Sequence, residues 1–333
     1  MSALAVPTAI RPSGRNRRRA TVAAALLAIV GLALLAGPSA RPAEAAVVPV
    51  RLEVTQATVK VAPNVKMRAW TFNGTVPGPV IRATEGDTIQ ITLVNADRGT
   101  PARKVRVKRK GKWRVKRIRA VPGMRHSVDF HAAEIAPDQA FRSIPPGESF
   151  TYSFIARRAG VYVYHCGTAP MLQHMGMGMY GAIVVDPVVP RAPAAKEVTL
   201  VQSEFYGKVQ KRQLKSSHHA MSTQAPKYMA FNGRAGRYSR QPIKVPVGEL
   251  VRINFVDAGP SLFSAFHIVG TIFDRYEPDG HPDQFLTGVS TQTVAPGGGG
   301  VFEVRFAEPG RYPFVSHSMR DMERGAMGVF EAG

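Results

Sequence analysis

The sequence contains a single cysteine, Cys166, among 333 residues. One cysteine excludes an intramolecular disulfide framework and a zinc site built from several thiolates. Its side chain is therefore either an inert buried thiol or a reactive or metal-bound one. Because the chain also holds nine histidines and twelve methionines, donors that would accompany a metal-bound thiolate are plentiful.

Long amphipathic helical patterns are also missing from the chain after residue 45. Short runs of β-branched and aromatic residues, such as 88–94 and 150–154, alternate instead with Gly and Pro. This pattern is typical of sandwich or barrel strands, so we expect an all-β protein. Phosphate-loop, nucleophile-elbow and dinucleotide motifs are absent too, which leaves hydrolase and nicotinamide-dependent functions without support.

The first 45 residues have the layout of a secretory signal. Five arginines between positions 11 and 19 precede an uncharged, Ala- and Leu-rich stretch at 20–40, and Ala43-Glu44-Ala45 offers a small-residue cleavage site. A retained membrane anchor is the alternative, because about 20 apolar residues can span a bilayer. We expect an exported protein, either periplasmic or extracellular and associated with the cell envelope, that begins near residue 46.

Acidic residues are absent from segment 98–125, which contains thirteen Lys and Arg residues. The whole chain has a formal net charge of +21. Apolar residues alternate with these cations around Lys110-Gly111-Lys112 and predict a protruding two-stranded hairpin, the basic hairpin. It is either a solvated insert or a contact for an anionic cell-envelope surface, a lipid or a redox partner. Nucleic acid is not an expected partner of an exported protein.

The chain contains an internal duplication at an offset of about 150 to 160 residues. A Pro- and Ala-rich linker at 188–197 separates the copies and predicts domains at 46–187 and 198–333. Three features recur in the same order: Phe72-Asn73-Gly74 as Phe231-Asn232-Gly233, Pro146-Gly147 as Pro296-Gly297, and Tyr164-His165-Cys166 as Ser316-His317-Ser318.

The residues around the cysteine predict a metal site in the first copy. A thiolate, two imidazoles and a thioether form the ligand set of a blue, type 1 copper centre. Three further methionines, at positions 171, 175 and 177, compete with Met179 for the axial role. In the second copy Ser318 replaces the thiolate, so only the first copy is expected to be blue. The candidate ligands are His126, Cys166, His174 and Met179.

These motifs resemble the first cupredoxin domain of copper-containing nitrite reductases and related two-domain multicopper oxidases. The resemblance rests on the run 126–131, on Tyr164-His165-Cys166 and on the spacing from His174 to Met179. It covers nearly the whole chain after residue 45 except the basic hairpin. It implies an all-β fold of two tandem cupredoxin-like Greek-key β-sandwich domains, with the type 1 copper on the four residues named above.

The resemblance also implies a second, type 2 copper bound by His131 and His165. It further implies that His317 of an adjacent subunit completes this site in a homotrimer and that Asp129 hydrogen-bonds the bound substrate. The residues support a two-metal arrangement independently, because His165 and Cys166 are neighbours on one strand and their side chains point to opposite faces. One backbone segment would therefore contact both metals.

Three functions remain open. The first is reduction of nitrite to nitric oxide with electrons from a small redox protein, of the cupredoxin or cytochrome c type. The second is a laccase-like multicopper oxidase acting on dioxygen with organic or metal reductants. A trinuclear cluster with its blue copper needs about ten histidines, whereas the chain has nine and lacks a His-X-His pair. The third is a non-catalytic electron carrier.

One position departs from the family pattern. The family carries a second catalytic histidine in a His-X-X-Gly-X-His segment, whereas the segment from His267 to Ile272 ends in isoleucine. Either activity toward nitrite is weak, or Thr271, a water molecule or His267 after a local shift delivers the proton instead. The other interpretation of His267 is a core or interface histidine.

Overall fold

The structure is a computed structural model that describes residues 45–333. The predicted secretory signal and its alternative, a membrane anchor, lie outside the described residues. Within residues 45–333 no helix is long and apolar enough to cross a membrane.

Strands dominate the first half of the described chain, and the two helices there are short. In strand β4 the buried residues Ile89, Ile91 and Leu93 alternate with less buried ones. An alternation of every second residue is typical of a strand that has one face in a core. The elements are β1 Val47–Ala62, β2 Val65–Phe72, β3 Ile81–Thr84, β4 Thr88–Asn95, β5 Arg103–Arg109, β6 Lys112–Ile118, β7 Asp129–Phe130, α1 Pro137–Ala140, β8 Ser149–Ile155, β9 Gly160–His165, α2 Met171–Gly176 and β10 Tyr180–Asp186.

The second half also consists mainly of strands with a few short helices, and its core is rich in phenylalanine. Phe255, Phe266 and Phe302 are fully buried and pack against one another with ring centroids 4.6 to 5.9 Å apart. The elements are β11 Lys196–Phe205, β12 Gly207–Gln210, β13 Gln213–Ser216, α3 His218–Ser222, β14 Tyr228–Phe231, α4 Arg237–Arg240, β15 Ile243–Val245, β16 Val251–Asp257, β17 Ser264–Ile268, β18 Arg275–Pro278, β19 Thr291–Val294, β20 Gly299–Val304, β21 Gly310–Ser316, α5 Met319–Glu323 and β22 Met327–Ala332.

Each half forms two sheets around its own apolar core. The first half has the orders β12-β13-β2-β1-β4-β8 and β3-β10-β9-β7, and the second has β14-β11-β16-β20-β18 and β15-β22-β21-β17-β19. The parallel pairing of β1 with β4 recurs as that of β11 with β16. The prediction of an all-β fold with two tandem cupredoxin-like sandwiches is therefore confirmed.

The small hairpin β12–β13 belongs by sequence to the second half but extends the first sheet. Its residues Gln213 and Leu214 pair in parallel with Lys66 and Met67 of β2. The hairpin covers what would otherwise be an open sheet edge. Buried side chains of both halves, including Met67, Met177 and Leu214, then share one apolar cluster. No sequence pattern predicts this pairing between the halves.

The basic hairpin is a separate two-stranded antiparallel sheet of β5 and β6. Lys110 and Gly111 connect the strands with φ values of 47° and 75°, the left-handed conformation that a two-residue hairpin turn requires. The chain segments before β5 and after β6 pair through an isolated bridge between Thr100 and Val121. The hairpin therefore projects from the first sandwich between β4 and β7.

Candidate metal centres

The loop between β9 and β10 delivers most of the predicted type 1 ligands. Backbone hydrogen bonds close this loop on itself, from the Cys166 N–H to the Met179 carbonyl at 3.1 Å and from the Met179 N–H to the His174 carbonyl at 3.2 Å. His126 comes from the segment before β7 and is held by a backbone bridge to Ile144. Main-chain hydrogen bonds therefore hold His126 and the ligands of the loop in place, although they are far apart in the sequence.

The thiol and two imidazoles lie together in the core of the first sandwich. Cys166 Sγ is 2.9 Å from His174 Nδ1 and 4.0 Å from His126 Nδ1. All three side chains and that of Met179 are fully buried. Met179 packs in the same cluster as Cys166, whereas Met177 belongs to the cluster shared by the two halves and Met171 is largely exposed. The packing therefore favours Met179 over Met171 and Met177 as the fourth donor.

Burial controls the protonation of this group. It raises the pKa of the Cys166 thiol and lowers the pKa of His126 and, to about 4, that of His174. Without a metal the group is therefore a neutral thiol beside neutral imidazoles. Imidazole lone pairs next to a thiol that loses its proton on metal binding are the donor set that copper prefers, so the residues fit this metal.

A buried carboxylate, Asp97, orients one of these imidazoles. Its Oδ2 lies 3.3 Å from His126 Nε2. Burial raises the pKa of Asp97, but hydrogen bonds from the Gly99 N–H, His126 and the Met124 N–H outweigh burial and leave its pKa below the usual value. An ionised partner on the second ring nitrogen fixes the tautomer of a ligating histidine. No sequence motif marks Asp97, and its one signal is its place directly before the acid-free segment.

His131 and His165 form a second pair of donors. Their Nε2 atoms are 3.1 Å apart. His131 Nδ1 lies 3.0 Å from the Gly297 carbonyl, and His165 Nδ1 lies 3.2 Å from the Cys166 carbonyl. Because each Nδ1–H donates to a carbonyl, the two Nε2 lone pairs face each other, an arrangement that a cation between them relieves. The pair therefore fits a metal.

Asp129 lies beside this pair. It lies directly opposite His165 in the pairing of β7 with β9, and opposed residues of an antiparallel pair share a face. Donor atoms of Asp129, His131 and His165 all lie within 4.8 Å of one another. Cys166 belongs to the other donor group. The adjacent residues His165 and Cys166 at the end of β9 therefore contribute to two different donor groups.

His317 is not brought to this group within the described chain. It follows β21, where its N–H donates to the Ala265 carbonyl at 2.7 Å, and its side chain is exposed. Within residues 45–333 the groups of three or more His, Cys, Asp or Glu donors near enough to share an ion are the two described above. Any contact of His317 with His131 and His165 therefore requires a second chain.

The imidazole beside His317 is that of His267. The two ring centroids are 5.4 Å apart, and His267 Nδ1 donates to the Ser290 carbonyl at 2.7 Å. Ile272 is 57% exposed, and the Thr271 hydroxyl bonds the Arg305 carbonyl. Of the residues near this segment that could deliver a proton, His267 is the one that lies next to His317, and it does so without a local shift.

Comparison with protein families gives two matches described as multicopper oxidase. One covers residues 53–101 and 127–189, and the other covers residues 209–333. The interruption between 101 and 127 coincides with the basic hairpin. The hairpin is therefore an insertion relative to the family pattern.

Similar proteins and structures agree with these matches. The copper-containing nitrite reductase of Neisseria meningitidis serogroup A is 34% identical over 286 residues, which cover 84% of this chain and 68% of that protein. The structure of a copper nitrite reductase from Nitrosomonas europaea is 34% identical, with a TM-score of 0.74, and covers 86% of this chain and 94% of its own. A structure described as a multicopper oxidase is 27% identical, with a TM-score of 0.69, over 86% and 89% of the two chains.

The buried thiol with its two imidazoles, the second imidazole pair and these similarities support one assignment. The residues fit copper, and relatives above 30% identity match over more than two thirds of their length. The chain belongs to the copper-containing nitrite reductase family of multicopper oxidases and is a copper oxidoreductase of the nitrite-reductase-like type.

Proposed function

We propose that this protein is an exported enzyme that reduces nitrite to nitric oxide. Each nitrite takes up one electron and two protons and yields nitric oxide and one water. The observation that supports this most is the pairing of His131 and His165 at 3.1 Å beside Asp129, one residue from the thiol of Cys166. Export rests on the sequence of residues 1–45 alone.

In this proposal each chain holds two coppers. The type 1 site consists of His126, Cys166, His174 and Met179, and the type 2 site consists of His131, His165 and His317 of a neighbouring subunit. When bound, the two ions supply one-electron storage and a Lewis-acidic position for nitrite. The Cys166–His165 peptide provides the short covalent route between the sites.

The proposed homotrimer gives His317 its partner. Four large apolar side chains within five residues of His267 or His317 are exposed by 45 to 58%. Exposed apolar side chains around a polar pair are typical of an association surface, and head-to-tail contacts of this kind close into rings. These side chains are Phe263, Val269, Ile272 and Met319.

Two groups would handle the protons. Asp129 of one subunit and His267 of the next would flank the nitrite position, because they neighbour His131 and His317 respectively. The Nδ1–H of His267 is held by the Ser290 carbonyl, which leaves its Nε2 to exchange a proton. Protonation of one nitrite oxygen lets it leave as water, the general acid step of the reaction.

Similarity to a multicopper oxidase structure favours a second candidate, an oxidase acting on dioxygen. The two donor groups within residues 45–333 do not include a set large enough for a trinuclear cluster in one chain. A non-catalytic carrier would need only the Cys166 site. Nitrite reduction is the candidate that uses both groups.

The test is to count copper in the purified protein and then add a chemical reductant and nitrite without oxygen. We expect about two coppers per chain and nitric oxide close to stoichiometric with the electrons supplied. Asp129→Asn should keep the copper and lower kcat by about a hundredfold. Oxygen uptake with more copper would select the oxidase, and one copper without gas would select the carrier.

A further inference from the structure

The chain segments at the base of the basic hairpin contact Asp97, the residue that orients the proposed type 1 ligand His126. The Gly99 N–H donates to Asp97 Oδ1 at 2.9 Å, and the Met124 N–H donates to Oδ2 at 3.3 Å. Asp97 Oδ2 in turn contacts His126 Nε2. A Cβ atom at Gly123 would clash with the Asp97 carbonyl oxygen, so the chain segment at Gly123 contacts this backbone directly. The position of the hairpin is therefore fixed relative to the copper ligands.

A surface cavity of about 410 Å³ opens beside the base of the hairpin. Its lining includes Lys66, Arg68, Arg103 and Lys215 and contains no acidic residue. Trp70 forms part of the wall, and its ring centroid is 4.9 Å from that of His174. Since His174 itself is fully buried, Trp70 is the aromatic side chain that separates this cavity from the type 1 ligand.

The hairpin carries uncompensated positive charge. Lys104 lies directly opposite Arg117, and opposed like charges destabilise a pair of strands. Among the described side chains of segment 98–125, no cation forms a salt bridge to an acid. An isolated two-stranded sheet is only marginally stable, so an anionic partner would relieve the repulsion and stabilise the hairpin.

Apolar anchors accompany the cations. Trp113 and Val115 are 60% and 63% exposed. Their cross-strand partners are Lys108 and Arg106, so the four side chains share one face of the hairpin. Exposed aromatic and arginine side chains together are typical of protein contact surfaces.

We propose that the basic hairpin and the cavity at Trp70 form the docking surface for an acidic redox protein that donates electrons to the type 1 site. The inference rests on the proposed function. The cationic surface continues from the hairpin to the cavity beside His174, where an electron donor has to approach, whereas adhesion to a lipid or wall would not require that continuity. One electron leaves the reduced partner and enters the type 1 site, and no proton or bond is transferred.

The test compares two forms of one probe, mitochondrial cytochrome c with its native basic surface and the same protein after succinylation of its lysines. The copper-loaded protein should bind the acidic form at least about tenfold more tightly at low salt, and added salt should abolish the difference. Reduced acidic cytochrome should also bleach the visible absorption of the type 1 site faster than the native form. This second readout needs no nitrite, so it is independent of the proposed reaction.

The variant Lys104→Gln/Arg117→Gln should lower the affinity for acidic cytochrome by about fivefold. Its unfolding free energy should not fall, because the exchange removes an opposed pair of cations. The control Lys196→Gln/Lys244→Gln loses the same charge at exposed positions outside the hairpin and should keep the affinity. Turnover with a small neutral reductant should stay unchanged in both variants.

Three outcomes would overturn the inference. One is equal affinity for both cytochromes, and another is an equal loss in the two double variants. The third is hairpin-dependent binding to phosphatidylglycerol vesicles without binding of acidic cytochrome, which would assign the hairpin to a membrane surface. Tight binding of the acidic form without nitric oxide production would instead contradict the proposed function alone.

Discussion

Cys166 and His165 are adjacent residues whose donor atoms belong to different groups. Cys166 Sγ is 2.9 Å from His174 Nδ1, whereas His165 Nε2 is 3.1 Å from His131 Nε2. Alternation along a strand sends neighbouring side chains to opposite faces. A change at one of these two positions should therefore affect one metal and spare the other.

Cys166→Ala tests this separation. We expect loss of the intense visible absorption and about one copper per chain instead of two, because the thiolate is the defining ligand of a blue site. The electron paramagnetic resonance signal of type 2 copper should persist. Loss of one buried sulfur should cost the metal-free fold about 1 to 2 kcal/mol. A protein that keeps its colour after this substitution would contradict the assignment of Cys166.

At the scale of elements, the hairpin β12–β13 connects the two halves. It pairs with β2 of the first sheet, and its buried Leu214 packs in the cluster that contains Met67 and Met177. The same cluster contains Phe205 and Tyr206 from the second half. Since the cluster draws on both halves, we expect them to unfold together.

Leu214→Ala should reveal this coupling. Leu214 is 3% exposed, and removal of a buried leucine side chain costs about 2 to 5 kcal/mol. Its cross-strand partner Val209 is 37% exposed, so the control Val209→Ala should cost less than about 1 kcal/mol. Unfolding by denaturant, followed by tryptophan fluorescence, measures both. Equal losses in the two variants would contradict the contribution of Leu214 to the shared cluster.

For the whole molecule, the three histidines proposed to bind the type 2 copper do not come together within the described chain. His131 and His165 lie together in the first sandwich, whereas His317 is exposed beside His267 in the second. In the proposed ring, the surface with His317 of one subunit would meet the His131 and His165 of the next. Assembly and metal content should therefore depend on each other.

His317→Ala should remove type 2 copper and leave the blue colour. His131→Ala should do the same for its own chain. If the ligands come from different subunits, trimers assembled from equal amounts of these two variants regain roughly one quarter of the type 2 copper, because mixed rings contain one intact junction. Copper analysis with electron paramagnetic resonance measures the recovery. No recovery in verified mixed trimers would place the third ligand elsewhere.

The sequence alone predicts the all-β class, the duplication and the residue types of a copper site. These features depend on local information, namely the period of apolar residues, the repeated motifs and the spacing between His174 and Met179. Comparison with relatives then supports the family and the cofactor. The roles of the individual ligands remain predictions.

Only the tertiary structure decided which distant groups meet. Asp97 lies against His126, Trp70 lies against His174, and His267 lies beside His317. In the same structure β13 pairs with β2, and the Gly297 carbonyl oxygen lies next to His131 Nδ1. No periodicity or motif marks such contacts, because they arise from packing between segments far apart in the chain, which local patterns do not specify.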